Sequence, residues 1–202
     1  MADIQNKITG IVGRKGSGKS VALRHELERC PRLFLFDTMA EHTWIPNKFY
    51  ALDEVEEFLD WARKQETFAG RFIAEENLEE EFSGLADLVY DFGYMTFAIE
   101  EIPMMCTASF QPPALDRIIR LGRHRFLDVV YTGQRAAEIS RRITAATDSF
   151  IWFGHTEPRD LEAIADRCGR EIAERVARLP LHGKLTWDAV PHGNLAPLPA
   201  LR

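Results

Sequence analysis

Eight consecutive residues, Gly13-Arg14-Lys15-Gly16-Ser17-Gly18-Lys19-Ser20, fit the spacing G-x-x-x-x-G-K-[ST] that cradles phosphate groups. Glycines let backbone N–H groups wrap an anion without Cβ clashes, and a helix that follows aims its positive end at the same anion. In such a loop Lys19 reaches the β- and γ-phosphates of a nucleoside triphosphate, and the Ser20 hydroxyl holds Mg²⁺. The flanks agree. Ile8–Val12 is a short apolar, β-branched run that predicts a strand, and Val21–Arg29 predicts a helix.

Two further positions could complete a hydrolytic site. Glu100-Glu101 ends the apolar run Met95–Ile99, which predicts another strand. Phosphoryl transfer to water needs a carboxylate near the metal and a group that orients the attacking water. Adjacent carboxylates at a strand end divide those tasks: Glu100 supports the magnesium water shell and Glu101 polarises the water. Gln134 stands just past the strand predicted over Leu127–Thr132, where a polar side chain can sense the γ-phosphate or orient the water. A guanidinium, supplied in cis or by a neighbouring subunit, would stabilise the phosphoryl centre. Spacing leaves Arg120, Arg123 and Arg125 as alternatives for it.

The elements that must position these groups alternate along the chain. Strands are expected at Arg32–Asp37, Arg71–Ala74, Asp148–Phe153 and Lys184–Trp187, in addition to those above. Amphipathic helices are expected at Asp53–Lys64, at Leu85–Phe92, from Pro113 and from Pro158. Strands alternating with helices indicate an α/β fold whose mostly parallel sheet is covered on both faces. At 202 residues a single domain over 1–189 is expected. Residues 190–202, with Pro191, Gly193, Pro197 and Pro199, read as an extended tail.

Composition narrows the partners. A net charge of −6 argues against a protein that coats nucleic acid. Arg117 to Arg142 nevertheless holds seven arginines against Asp128 and Glu138, which permits a basic surface on an acidic protein. The acid run Glu75 to Glu81 reads as a solvated loop or helix face. No apolar run approaches the roughly 20 residues of a membrane span. Cys30, Cys106 and Cys168 lack metal-ligand spacing and read as buried free thiols, and the scattered histidines suggest no zinc site.

With these residues in view, the chain resembles the HerA/FtsK superfamily of P-loop ATPases. It is most similar to the small genome-packaging ATPases of membrane-containing, tailless viruses, with a further likeness to Zot-type assembly ATPases. Gly13 to Ser20, Ile99-Glu100-Glu101 and Gly122 to Arg135 carry the resemblance, which covers roughly Lys7 to Trp187. The family pattern is an arginine shortly before a strand that ends in Gln-Arg. It implies that Arg123 is the trans-acting arginine and Gln134 the strand-end glutamine. Glu100 departs from the pattern, standing where the family has Asp. The resemblance implies a three-layer P-loop NTPase fold of the RecA-like, additional-strand type. It also implies ATP and Mg²⁺ as ligands, and a homo-oligomeric ring of five or six subunits that drives double-stranded DNA. The expected setting is the host cytoplasm or the virion, with a capsid or portal vertex as docking partner. Alternatives are a Zot-like ATPase moving a protein, and a nucleotide switch or small-molecule kinase whose arginine-rich lid would be Arg117 to Arg125.

Overall fold

The computed structural model describes residues 7–75 and 77–189. The expected tail, 190–202, lies outside the described residues. Eight strands form one sheet: β1 Ile8–Val12, β2 Arg32–Phe36, β3 Asn47–Phe49, β4 Phe68–Phe72, β5 Met95–Ile99, β6 Leu127–Gly133, β7 Ser149–Phe153 and β8 Lys184–Asp188. Their order is β3-β4-β2-β5-β6-β1-β7-β8. Every pair is parallel except β7 with β8. One strand, β6, therefore separates the strand before the phosphate loop from the strand that ends in Glu100-Glu101. This is the additional-strand order expected from the resemblance.

The helices are α1 Lys19–Leu27, α2 Leu52–Ala62, α3 Leu78–Phe92, α4 Pro113–Leu121, α5 Arg141–Ala146, α6 Pro158–Cys168 and α7 Arg170–Ala177. Strand residues alternate between the two faces, because successive side chains point to opposite sides of the pleat. Phe34 and Phe36 join one hydrophobic cluster with residues of α2, α3, α4, α6 and α7. Leu33 and Leu35 join another with Ala22, Leu23 and Leu27 of α1 and with Ile45. Both faces are covered, as expected, but unevenly: α1 and the segment around Ile45 shield one, and the other helices shield the second.

Three elements differ from the sequence reading. The third expected strand lies at Phe68–Phe72, earlier than Arg71–Ala74. Gly70 hides it in the sequence, yet a Cβ there would stand 2.8 Å from the Phe34 ring, so the strand packs closely because it lacks a side chain. Strand β3 is only three residues long, at the sheet edge, and carries no apolar run to announce it. Helix α3 starts at Leu78 rather than Leu85, with Glu79, Glu80 and Glu81 in its first turn. Asn77 caps it, its side chain accepting from the Glu80 N–H at 3.3 Å. The acid run is thus a helix N-terminus, where carboxylates favourably oppose the helix dipole.

Cys106 is buried, and Cys30 and Cys168 are partly so. Burial raises the pKa of all three, that of Cys168 to about 11. Among the described residues no helix is long and apolar enough to cross a membrane.

Candidate functional site

Parallel pairing places the C-terminal ends of β1, β6 and β5 side by side. Val12 is level with Gly133, and Ile99 with Tyr131. Every residue that follows these strands therefore emerges at the same rim. The Gly13 N–H donates to the Gly133 carbonyl at 3.1 Å, tying the start of the phosphate loop to the residue before Gln134. A Cβ on Gly13 would lie 2.5 Å from Phe153 Cβ, so only glycine admits this approach. Gly16 (φ 75°) and Gly18 (φ 105°) occupy conformations that side chains resist.

The loop has the chemistry of an anion cradle. The Ser17 hydroxyl is buried without a hydrogen-bond partner, the kind of orphan that a phosphate oxygen satisfies. Ser20 opens the first turn of α1 and is exposed; Arg14 and Lys15 are exposed. The Lys19 ammonium donates to the Arg14 carbonyl at 3.3 Å, folded back over the loop. Burial lowers its pKa, and the charges of Glu101 and Glu100 partly restore it. Both carboxylates are therefore close enough to sense this ammonium.

Glu101 is held from two directions. Its N–H donates to Thr132 Oγ1 at 2.8 Å, and its Oε1 accepts from the Gln134 backbone N–H at 3.0 Å. Its backbone is left-handed, with φ 49° and ψ 59°. Such a conformation costs a non-glycine residue roughly 1–3 kcal/mol and recurs at functional sites. The Gln134 side chain is exposed at the same rim. Glu100 turns away from solvent. Only 7% exposed, it accepts from His42 Nε2 at 3.0 Å and from the Met39 N–H at 3.4 Å.

Arg123 is elsewhere. It sits in the short turn Gly122–Arg125, before the N-terminal end of β6, and is exposed. Seven residues of β6 separate it from Gln134, about 20 Å of extended chain. Its Nε meets only the neighbouring His124 ring, at 3.3 Å, and it forms no ion pair among the described residues. The other arginines of the cluster are engaged. Arg117 pairs with Asp87 at 2.8 Å, Arg120 with Asp116 at 3.4 Å and Arg141 with Asp166 at 3.1 Å. Arg142 also reaches Asp116, and Arg135 meets Glu138, Glu157 and Asp160. Arg125 donates to the carbonyls of Tyr90 and Asp91. The segment that the sequence offered as a basic surface is largely neutralised.

Two features had no sequence signal strong enough to find them. Asp37, His42 and Arg71 are buried beside Glu100, where β2 and β5 end together. The one available hint was an acid following a second apolar strand. The other is a cleft of about 350 Å³ beside the loop, bordered by Val21, His25, Phe153 and His182. His182 Nδ1 lies 3.2 Å from the Ser17 carbonyl, so the turn before β8 overhangs the loop.

No protein-family model matches the chain, and neither does any curated protein. Solved structures do match. The genome-packaging NTPase B204 of Sulfolobus turreted icosahedral virus 2, in complex with AMP, is 21% identical over 91% of this chain and 92% of its own, at a TM-score of 0.75. B204 of Sulfolobus turreted icosahedral virus, a DNA-packaging ATPase, is 19% identical over 91% and 92%, at 0.67. The pCW3 conjugation coupling protein TcpA, in monomer form with ATPγS, is 15% identical over 94% of this chain and 59% of that one, at 0.52. The fold is the one these structures share.

Proposed function

We propose that the chain is an ATP-hydrolysing motor that moves double-stranded DNA during viral genome packaging, acting as a homo-oligomeric ring of five or six copies. One observation carries this reading. The phosphate loop, Glu101 and Gln134 share one rim of the sheet, while Arg123, in no ion pair among the described residues, stands at the opposite end of the strand that Gln134 follows. At about 20 Å from its own site, Arg123 can meet a phosphate only on a neighbouring copy, which supports the ring reading. The fold shared with B204, a packaging NTPase seen with AMP and ATP analogues, supports the same conclusion.

In this reading, backbone N–H groups from Gly13 to Ser20 and the Lys19 ammonium bind the phosphates. The nucleobase enters the cleft between Val21 and the Phe153–His182 side. Ser20 and, through water, Glu100 would hold Mg²⁺, which when bound neutralises charge on the phosphates. Glu101 orients the attacking water, fixed by the Gln134 N–H, and Gln134 senses the γ-phosphate. Arg123 of the adjacent copy stabilises the charge that develops on transfer. The pairing of Arg117 and Arg120, and the backbone bonds of Arg125, favour this reading over a small-molecule kinase with its arginine-rich lid at Arg117 to Arg125. Work at a capsid or portal vertex, in the host cytoplasm or on the virion, belongs to the same proposal.

The test is steady-state ATP hydrolysis by the assembled protein with and without duplex DNA. DNA should raise turnover of the wild type and not of Arg123→Ala. Glu101→Gln should retain bound ATP while losing roughly 10²–10³ in kcat. Turnover indifferent to duplex in an assembled ring would sink the motor reading.

A further inference from the structure

Four charged or titratable side chains lie side by side beneath the rim: Arg71, Asp37, His42 and Glu100, respectively 6, 0, 3 and 7% exposed. Arg71 Nη1 donates to Asp37 Oδ2 at 2.7 Å, and its Nε donates to the Ile45 carbonyl at 3.1 Å. Asp37 also accepts from the backbone N–H groups of Glu41 (3.1 Å) and His42 (3.2 Å). The ion pair therefore fastens both ends of the segment that runs from β2 to Ile45, and His42 stands inside it.

The imidazole is engaged at both nitrogens. The Trp44 indole N–H, which can only donate, approaches His42 Nδ1 at 3.4 Å. Nδ1 is then the acceptor and Nε2 carries the proton, which it gives to Glu100 Oε1 at 3.0 Å. Three donor atoms of Asp37, His42 and Glu100 fall within 4.8 Å of one another. With both imidazole nitrogens committed, this is a hydrogen-bonded brace and not a set of free metal ligands.

We infer that His42 is a positioning residue for the metal-supporting carboxylate: its Nε2–H fixes the Glu100 side chain, and Arg71 with Asp37 fixes the segment that carries it. This rests on the reading of Glu100 given above. A glutamate reaches one methylene further than an aspartate and has one more rotatable bond, so its carboxylate gains from an added restraint. His42 and the Met39 N–H supply one contact to each oxygen. A carboxylate offers about four lone-pair sites, so two contacts leave it able to accept from a metal-bound water. The Glu100 charge also acts on the Lys19 ammonium of the phosphate loop, favouring its protonated form. Partners that orient a metal-supporting group commonly set about 10- to 100-fold in metal affinity.

The experiment titrates Mn²⁺ into the full chain bound to a non-hydrolysable ATP analogue, reading free Mn²⁺ by electron paramagnetic resonance. Metal-free binding of the analogue is measured alongside. His42→Ala should weaken Mn²⁺ binding about 10- to 100-fold and leave metal-free binding unchanged. If it does not fold, His42→Met fills the imidazole's volume without a donor and serves the same purpose. His42→Gln, whose amide nitrogen takes the place of Nε2, should restore most of the affinity. In a Glu100→Ala background, removing His42 should change nothing further. If Glu100→Ala weakens Mn²⁺ binding and loss of the His42 donor does not, the positioning role is wrong. If Glu100→Ala itself leaves Mn²⁺ binding intact, the role given to Glu100 fails first and the brace has nothing to position.

Discussion

The two ends of strand β6 are built on opposite principles. At its C-terminal end, Thr132, Gly133 and Gln134 are bound to Glu101 and to the phosphate loop through hydrogen bonds of 2.8–3.1 Å. At its N-terminal end, Arg123 forms no ion pair among the described residues, and Phe126, whose N–H donates to the Arg123 carbonyl at 3.4 Å, packs against Tyr94. Tyr94 is 39% and Phe126 48% exposed, their rings 6.0 Å apart and edge to face. Both have positive φ, 52° and 54°. One end ties its backbone and carboxylate to one another; the other holds an aromatic pair in left-handed backbone and an exposed arginine with no ion pair among the described residues. The proposed ring asks for this difference: a rim completed in place, and a far end left for a second copy to meet.

Mixing is the strongest way to break this comparison. Lys19→Ala chains and Arg123→Ala chains should each lose turnover, the arginine variant by about 10³-fold or more. A mixture should regain a measurable fraction, because some interfaces then join an intact loop to an intact arginine. A mixture no more active than its parts in a steady-state assay would take Arg123 out of the neighbouring copy's site. Stability should divide the ends next. Arg71→Ala leaves the fully buried Asp37 carboxylate uncompensated and should cost about 3–5 kcal/mol by urea unfolding. Arg123→Ala should fall within about 0.5 kcal/mol of wild type. Phe126→Asn sharpens the contrast, since asparagine tolerates the left-handed conformation. It should leave the melting temperature of the monomer within a few degrees, and shift the ATPase activity toward higher protein concentration. An unchanged concentration dependence would remove Phe126 from any contact surface.

The smallest effect concerns pH at the braced end. His155, 1% exposed beyond β7, has Asp160 Oδ2 3.7 Å from its Nδ1, too far for a hydrogen bond, and neither ring nitrogen is hydrogen-bonded among the described residues. Burial lowers its pKa, and the nearby Asp160 only partly offsets this. A group whose folded pKa lies below its unfolded value near 6.5 resists protonation in the fold. Its share of stability is full above about pH 6.5 and is lost as pH falls toward the folded value. His155→Phe should flatten the decline of melting temperature between about pH 6.5 and 5. An identical slope in the variant would assign that decline to other groups.

The phosphate loop was legible because its spacing is local and its chemistry permits few alternatives. Glu101 and Gln134 were legible by position, each following an apolar run, although their meeting through the Gln134 backbone was not. Sequence could not reveal that the Arg117–Arg142 cluster is neutralised, because Asp87 and Asp166 lie on other helices. The same holds for Arg71, whose partner Asp37 stands 34 residues away. Only the adjacency of β2 and β4 brings them together. Periodicity missed β3 because Asn47-Lys48-Phe49 offers no alternation, and misplaced β4 because Gly70 interrupts its apolar run. Pairings distant in sequence and elements without a repeating pattern are what the chain conceals.

The position of β1 carries a consequence for how the molecule comes into being. The strand that launches the phosphate loop pairs with residues 129–133 on one side and 149–152 on the other. Its neighbours therefore arrive more than a hundred residues after it. Parallel pairing over such separations is slow, since loop closure must precede any gain from the contacts. At a synthesis rate of about 5–20 residues per second, roughly 7–30 s pass between the emergence of Val12 and that of Trp152. Throughout that interval the glycine-rich octet has no frame to shape it. A ribosome-bound chain should thus be blind to ATP until its last parallel strand is available, and nucleotide should act late, as a ligand that stabilises a nearly finished fold.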